Sequence, residues 1–180
     1  GSEMCIRDSS GTIQYVRVEY AGANVSQDNE LNSFTFGGVG AGTTFDHCQA
    51  YYGEDDAFEF FGGTINAKYL VSTSTHDDAF DFDFGYTGKL QFLVATVDAN
   101  STYYTKDPNG IECDNDGSSS SLTPFTHPTI SNLTIVGTVN GKVAQSAMGD
   151  GKSMKSCANF RRNCQFTLVN SILYGYPTGI

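Results

Sequence analysis

Acidic side chains at short, repeated intervals are the residues of this chain with the clearest capacity for chemistry. Eleven of the 20 Asp and Glu residues lie in three short blocks. The blocks are Glu54, Asp55, Asp56 and Glu59, then Asp77, Asp78, Asp81 and Asp83, and last Glu112, Asp114 and Asp116. Between residues 54 and 116 the basic residues are Lys68, Lys89 and Lys106. Carboxylates this close repel one another, so a bound cation, raised carboxyl pKa values or a basic partner must offset the repulsion.

Calcium is the cation that best suits such a set of ligands, because it accepts about six to eight oxygen atoms in irregular geometry. The sequence predicts a calcium site at Glu59, Asp81, Asp83, Glu112 and Asp114, with Asp55, Asp56, Asp77 and Asp78 as further ligands. Zinc is disfavoured, since the three histidines share no ligand spacing with one another or with the cysteines. Two other interpretations stay open, a solvated acidic face and a catalytic acid pair among Asp55, Asp56, Asp77 and Asp78.

An internal repeat must position these acids. The tetrapeptide Asp-Asp-Ala-Phe occurs at residues 55–58 and again at 77–80, and a weaker echo follows at 110–117. Strand-like runs that open at Thr12, Thr43 and Thr64 alternate with these segments. A period of about 20–25 residues with glycine at the corners is typical of a stacked β-solenoid. The sequence therefore predicts an all-β protein, a right-handed parallel β-helix, with an antiparallel sandwich as the alternative.

The facing of the acids follows from the alternation of Phe and Asp over residues 80–84. In a strand, alternate side chains point to opposite faces, so the three Phe are expected in the core and the two Asp in solvent. Matching the repeats then predicts one outward column, with adjacent coils about 4.8 Å apart. That column contains Glu59, Asp81 and Glu112, with Asp83 and Asp114 beside it.

Composition limits the class of protein. The chain has 180 residues, 39% of them apolar, which is enough for one domain with its own core. Its net charge of −10 argues against nucleic acid as a partner, because phosphates would be repelled. No run approaches the roughly 20 apolar residues of a transmembrane helix. With 20 Gly, 13 Phe, 10 Tyr and no Trp, the composition favours strands and turns.

The two ends of the chain differ from the repeat region. Gly1 and Ser2 resemble a cloning scar, and residues 3–9 resemble translated sequencing-adapter sequence. We therefore expect residues 1–9 to be a non-native or disordered leader, and residues 10–180 to form a single β-helix domain. The abrupt C-terminal residues 170–180 suggest that this domain is a segment of a longer protein.

Residues 53–68 and 76–92 resemble a group of secreted β-helix proteins from Bacteroidota, and the resemblance continues through residues 109–116 and 170–179. It implies a pectate-lyase-like architecture and a secreted or outer-surface bacterial protein, and it implies no established reaction. We expect a non-catalytic structural or adhesion role, with a polysaccharide or cell-surface glycan as partner.

The alternative function is a polysaccharide-active enzyme, either a glycoside hydrolase or a lyase. Residues 53–56 resemble the Asp-Asp turn of polygalacturonase-like glycoside hydrolases, in which carboxyl groups protonate the leaving group and activate water. The Gly-His-Gly and Arg-Ile-Lys patterns of that family do not occur in this chain. An exposed strip drawn from the many Tyr and Phe residues would serve either function, by stacking on sugar rings.

Four cysteines remain when Cys5 in the leader is set aside. An even number in an exported protein permits disulfides, with three possible connectivities. Cys157 and Cys164 flank a six-residue loop, so a local clip between them is the expected pair. Cys48 and Cys113 lie in strand-like runs and are expected to be buried free thiols.

Overall fold

The computed structural model describes residues 8–23, 31–98, 108–138 and 154–180. Within these residues the regular elements are all strands, and all their pairings are parallel. The strands are β1 (Thr12–Gln14), β2 (Arg17–Glu19), β3 (Phe34–Gly37), β4 (Thr44–Tyr51), β5 (Phe58–Phe61), β6 (Asn66–Thr73), β7 (Phe80–Asp83), β8 (Lys89–Thr96), β9 (Ile111–Cys113), β10 (Thr129–Val136), β11 (Asn159–Phe160), β12 (Thr167–Val169) and β13 (Ile172–Tyr174).

The order of the strands is that of a solenoid. One sheet runs β1-β4-β6-β8-β10-β12, with β2 beside β4 and β13 beside β10, and the other runs β11-β9-β7-β5-β3. Neighbours in each sheet come from successive turns of the chain, so that each coil adds one level to both sheets. The predicted parallel β-helix is confirmed, and the antiparallel alternative is wrong.

The spacing of the coils is less regular than the repeat suggests. Thr44 pairs with Asn66, a step of 22 residues, whereas Lys89 pairs with Thr129 and Thr129 with Thr167. The longer steps include residues 99–107 and 139–153, which lie outside the described residues. Neighbouring strands keep a parallel register although the steps between them differ in length.

The strand alignment that starts at Thr12, Thr43 and Thr64 is wrong by one residue at each step. The register pairs Thr12 with Thr44, and Thr44 with Asn66. Thr43 lies before β4, where its Oγ1 accepts the backbone N–H of Ser10 at 2.8 Å. A slip of one residue would turn every side chain of a strand to the opposite face, so burial of the apolar side chains decides the register.

The long strands of the first sheet bend at one residue in each coil. We call these residues the bend column. Its members have left-handed φ values between +49° and +61° and are Tyr15, His47, Tyr69, Phe92, Asn132 and Asn170. At each bend the pairing skips one residue: Asp46 pairs with Lys68 and Cys48 with Leu70, but His47 is left out. The skip shifts the alternation, so Phe45, Cys48 and Ala50 all point into the core.

Two columns of phenylalanine rings fill the core beneath the second sheet. One column contains Phe34, Phe58 and Phe80, the other Phe36, Phe60 and Phe82, and successive ring centroids are 4.6–5.5 Å apart. Phe80 and Phe82 are inward as predicted, but the prediction for Phe84 is wrong because this ring is 59% exposed. Its φ of +50° lies just after the end of β7, where the strand alternation no longer holds.

The N-terminal residues are described from Asp8 onward. Residues 1–7 of the expected leader, including Cys5, lie outside the described residues, and the backbone carbonyl of Asp8 accepts the N–H of Gly42 at 3.2 Å.

Cys48, Cys113, Cys157 and Cys164 are free thiols. The expected Cys157–Cys164 clip is not formed, and the sulfur that contacts Cys164 is that of Cys113. In the part of the chain that the structure describes, no helix is long and apolar enough to cross a bilayer.

Candidate metal centre

The acids of the second sheet lie in one column, which we call the acid column. The register pairs Glu59 of β5 with Asp81 of β7, and Asp81 with Glu112 of β9. The alignment of the repeats predicts this column, including its third member from the weak echo. All three point away from the phenylalanine core, but the expectation that they point into water is wrong. Glu59 is 8% exposed, and Asp81 and Glu112 are half-buried.

A second set of polar side chains forms a ladder at the corner before the second sheet. We call it the corner ladder, and its members are Asn32, Asp56, Asp78 and Asn109. Each one accepts a backbone N–H from the next coil: Asn32 from Asp56 at 3.2 Å, Asp56 from Asp78 at 2.8 Å, and Asp78 from Asn109 at 2.5 Å. Asn109 continues the ladder by accepting the N–H of Ser156 at 3.2 Å. These hydrogen bonds tie each corner to the next, so Asp56 and Asp78 have a structural role.

The corner ladder and the acid column approach each other closely enough for carboxylates to share a cation. Among the described residues, three groups have carboxylate oxygens within 4.8 Å of one another. They are Asp55, Asp56 and Asp77, then Asp56, Glu59 and Asp81, and last Asp78, Asp81 and Glu112. Asp81 belongs to two groups and lies between them. The predicted ligands Glu59, Asp81 and Glu112 are brought together, with all four of the predicted corner aspartates around them.

Asp81 has the carboxylate oxygen of this arrangement at which a cation could best bind. Its Oδ1 is buried, and no hydrogen-bond partner for it lies among the described residues. A buried polar atom without a partner loses its hydration and gains nothing in return. The atom belongs to the residue shared by two carboxylate groups, so a cation there would supply the missing contact.

The pKa values of these carboxyl groups are raised, mainly by burial. Burial raises the pKa of Glu59 and of Glu112 to about 7 and that of Asp83 to about 6. The pKa values of Asp56, Asp78 and Asp81 are also raised, by burial first and then by the neighbouring carboxylates. Near neutral pH the site therefore holds protons that a cation could replace.

Arg161 and Arg162 compensate part of the acidic face. Arg161 Nε donates to Asp114 Oδ1 at 2.9 Å, and Arg162 Nη1 donates to Asp114 Oδ2 at 2.8 Å. Arg161 also forms an ion pair with Glu112. Asp83 and Asp114, predicted as ligands, belong to none of the three carboxylate groups of the described residues. Arg161 and Arg162 offset the charge of Asp114, which is the basic partner that the sequence left open, and a calcium contact of Asp114 stays a prediction.

Asparagine side chains donate hydrogen bonds at both ends of the acid column, and the sequence pattern did not predict them. Asn32 Nδ2 donates to Glu59 Oε2 at one end of the acid column. At the other end, Asn109 Nδ2 and Asn159 Nδ2 each donate to Glu112 Oε2 at 3.3 Å. These asparagines belong to coils in which the Asp-Asp-Ala-Phe motif is absent, so the repeat did not draw attention to them. The clustering of basic residues near the C-terminus was a usable signal for Arg161 and Arg162.

The alternative catalytic residues lie in a confined place. Asp56 and Asp78 are 6% and 4% exposed, and both accept backbone hydrogen bonds of the corner ladder. A cavity beside Asp77, formed also by Asn109 and Met154, has a volume of about 10 Å³. That is about the space of one water molecule, which is too small for a sugar ring.

An exposed aromatic strip does exist, on the bend column. Tyr15, His47, Tyr69 and Phe92 stack in sequence with ring centroids 4.6, 4.5 and 5.2 Å apart and interplanar angles of 21°, 27° and 10°. Because each ring covers the face of the next, the strip exposes edges along its length and a free face at its ends. Stacking of a sugar on a ring face is therefore limited to the ends of the strip.

Comparison with known protein families gives a match over almost the whole chain. A family model described as a pectate-lyase like beta helix domain matches residues 3–180. Neither the curated proteins nor the solved structures include a match to this chain. The matched residues contain both sheets, the acid column and the corner ladder.

Proposed function

The chain belongs to the pectate-lyase-like beta helix family, and from this premise we propose a secreted or outer-surface bacterial protein with a non-catalytic structural or adhesion role. Ca²⁺ bound at the acid column and the corner ladder stabilises the coil stack, and a polysaccharide or cell-surface glycan is its partner. The family description supports the glycan partner, and the net charge of −10 is compatible with an exported, soluble surface.

One observation carries the calcium proposal, namely the buried Oδ1 of Asp81 without a partner among the described residues. Asp56, Glu59 and Asp81 would hold one ion, and Asp78, Asp81 and Glu112 would hold a second or share the first. The donor set consists of carboxylate oxygens, which are hard ligands. Calcium fits better than magnesium, because it tolerates irregular geometry while magnesium requires a near-octahedral shell.

Thermal unfolding tests the proposal when it is followed with Ca²⁺, with a chelator, and with NaCl at matched ionic strength. We expect Ca²⁺ to raise the melting temperature of the parent, because an ion that binds the folded state selectively stabilises it by mass action. Asp81→Asn should lose most of this response. Asp83→Asn is the matched control, since it removes a neighbouring carboxylate of the same strand that is outside the three groups, and it should keep the response.

Two outcomes would contradict the calcium proposal. If NaCl stabilises the parent as well as Ca²⁺ does, the acids are a screened surface and bind no specific ion. If Asp81→Asn and Asp83→Asn keep equal responses to Ca²⁺, the ion binds elsewhere. Asp78→Asn gives a further check, because an asparagine keeps the acceptor oxygen of the corner ladder while it removes one charge.

The enzyme alternative also has support, from the family description and from acids whose pKa values lie near 7, where a general acid would work. Incubation with acidic and neutral polysaccharides, followed for reducing ends and unsaturated products, decides between the two. We expect no turnover, because Asp56 and Asp78 are engaged in the corner ladder. Turnover that disappears in Asp55→Asn or Asp77→Asn, with the circular dichroism spectrum unchanged, would show that the protein is an enzyme.

A further inference from the structure

Two of the four thiols lie in contact. The S–H of Cys113 in β9 donates a hydrogen bond to the sulfur of Cys164, in the turn that follows β11. We propose that Cys113 and Cys164 are a disulfide-forming pair, which in oxidising surroundings becomes a covalent clip between successive coils. The bond would close a loop of about 50 residues, and cross-links over long loops restrict the unfolded chain strongly.

The backbone holds the two cysteines in place. Cys113 pairs with Phe160 in the register of β9 and β11, and its carbonyl accepts the N–H of Arg161 at 3.0 Å. The carbonyl of Arg161 then accepts the N–H of Cys164 at 3.1 Å, which closes a turn between these two residues. Arg161 is therefore hydrogen-bonded to Cys113, and Cys164 is hydrogen-bonded to Arg161. These two backbone hydrogen bonds connect Cys164 to β9 through a single residue.

Packing explains why the two sulfurs meet at this level. Cys113 continues the column of Phe36, Phe60 and Phe82, but its side chain is much smaller than a phenyl ring. Cys164 and Phe166 pack against the core there, with the Phe166 ring 6.1 Å from that of Phe82. The smaller side chain of Cys113 leaves more room at this level than a phenylalanine would, and Cys164 packs against the same core cluster.

The two thiols are unequal, and this gives the order of the reaction. Cys113 is fully buried, whereas Cys164 is half-buried. Cys164 is therefore the thiol that an external oxidant reaches first.

The oxidant we infer is a small-molecule disulfide. The Cys164 thiolate attacks one of its sulfurs, forms a mixed disulfide and releases one thiol. Cys113 then loses its proton and attacks the sulfur of Cys164, which breaks the mixed disulfide and releases the second thiol. The protein loses two protons and two electrons in total, and the oxidant takes them up as it is reduced to two thiols.

The remaining cysteines provide matched controls. The thiol of Cys48 donates to the backbone carbonyl of Asp46 at 3.3 Å. The sulfur of Cys157 is hydrogen-bonded to the backbone at Tyr176, and burial raises its pKa. Cys48→Ser and Cys157→Ser should therefore leave the clip intact, whereas Cys113→Ser and Cys164→Ser should abolish it.

The experiment oxidises the purified chain with oxidised glutathione and identifies the bridge by peptide mapping without reduction. We expect a peptide that joins Cys113 to Cys164, the loss of two hydrogen masses, and a melting temperature several degrees higher than that of the reduced chain. Reductant should remove this increase in the parent, in Cys48→Ser and in Cys157→Ser, but should have no effect on Cys164→Ser.

Alkylation of the folded chain is a second measurement that needs no variant. In the reduced chain Cys164 should be alkylated faster than Cys113, and prior oxidation should protect both. A bridge between Cys157 and Cys164, or equal alkylation of Cys113 and Cys164 before and after oxidation, would overturn the proposal.

Discussion

The residues of the acidic face differ in how their negative charges are compensated. Asp114 has two arginine partners, and Glu112 shares one of them. Glu59 receives a hydrogen bond from Asn32, while Asp81 in the middle of the column has a buried oxygen without a partner among the described residues. Other side chains of the protein thus compensate the negative charges at the two ends of the acid column. The centre of the column, at Asp81, is where a cation would offset most charge.

Stability should depend on pH in a direction set by these acids. The pKa values of Glu59 and Glu112 rise from 4.5 to about 7 on folding. Between these values the folded chain holds more protons than the unfolded chain, so stability falls as pH rises. With a chelator present, we therefore expect a higher melting temperature at about pH 5.5 than at about pH 8. Ca²⁺ should reduce the difference, because it stabilises the ionised carboxylates.

The pH prediction can be assigned to its residues. Glu59→Gln should weaken the dependence measured in chelator, since the glutamine cannot take up a proton. Hydrogen bonds lower the pKa values of Asp46 and Asp116, so both groups stay ionised across this pH range and do not contribute to the difference. A parent chain that is equally stable or more stable at about pH 8 in chelator would contradict the predicted role of the raised carboxyl pKa values.

At the scale of elements, the bend column decides the shape of each coil. Left-handed backbone in the middle of a strand is unusual for residues other than glycine and asparagine. Four coils place Tyr15, His47, Tyr69 and Phe92 there, and stacking of the four rings compensates part of the cost. The last two coils place Asn132 and Asn170 there, residues that adopt this conformation more readily.

The bend in β10 gives a prediction at this scale. Asn132 has a φ of +58°, so a β-branched residue there should cost about 1–3 kcal/mol of the free energy of unfolding. Asn132→Val should lower that free energy when unfolding is followed in urea. Thr134→Val is the control, because it lies on the same strand with regular pairing to Val94. An equal effect of the two substitutions would show that the bend is not a strained position.

At the scale of the whole molecule, the fold is a stack in which each level contacts its neighbours. Phe60 lies between Phe36 and Phe82, and its ring is also 4.7 Å from that of Tyr86. Phe36 has a ring below it in Phe60 and contacts Phe45 at the side. A ring in the middle of the stack is therefore packed on more sides than a ring near its end.

This difference predicts how mutations act along the stack. Phe60→Ala should lower the free energy of unfolding by about 3–5 kcal/mol, the range for a fully buried aromatic ring. Phe36→Ala should cost less, because Phe36 is 7% exposed and, among the described residues, stacks on one side. Equilibrium unfolding in guanidinium chloride measures both, and equal losses would contradict stabilisation by stacking between neighbours.

The sequence by itself determined the class of fold and the alignment of the central acids. The alternation of strand residues is local, and repetition of Asp-Asp-Ala-Phe after 22 residues brings Phe58 over Phe80 and Glu59 over Asp81. The weak echo around Glu112 was enough to extend the column to a third coil. These features need no knowledge of distant contacts, because a stacked repeat converts sequence spacing directly into register.

The tertiary structure alone decided which groups meet those acids and where the local pattern fails. Asn32 meets Glu59, Arg161 meets Glu112, and Cys164 meets Cys113 across 27, 49 and 51 residues, through connections of unequal length that no spacing encodes. Phe84 leaves the core because the backbone conformation just after β7 overrides the two-residue alternation. Partners, burial and pKa shifts therefore depend on the closed coil, since each arises from contacts between coils and not within one strand.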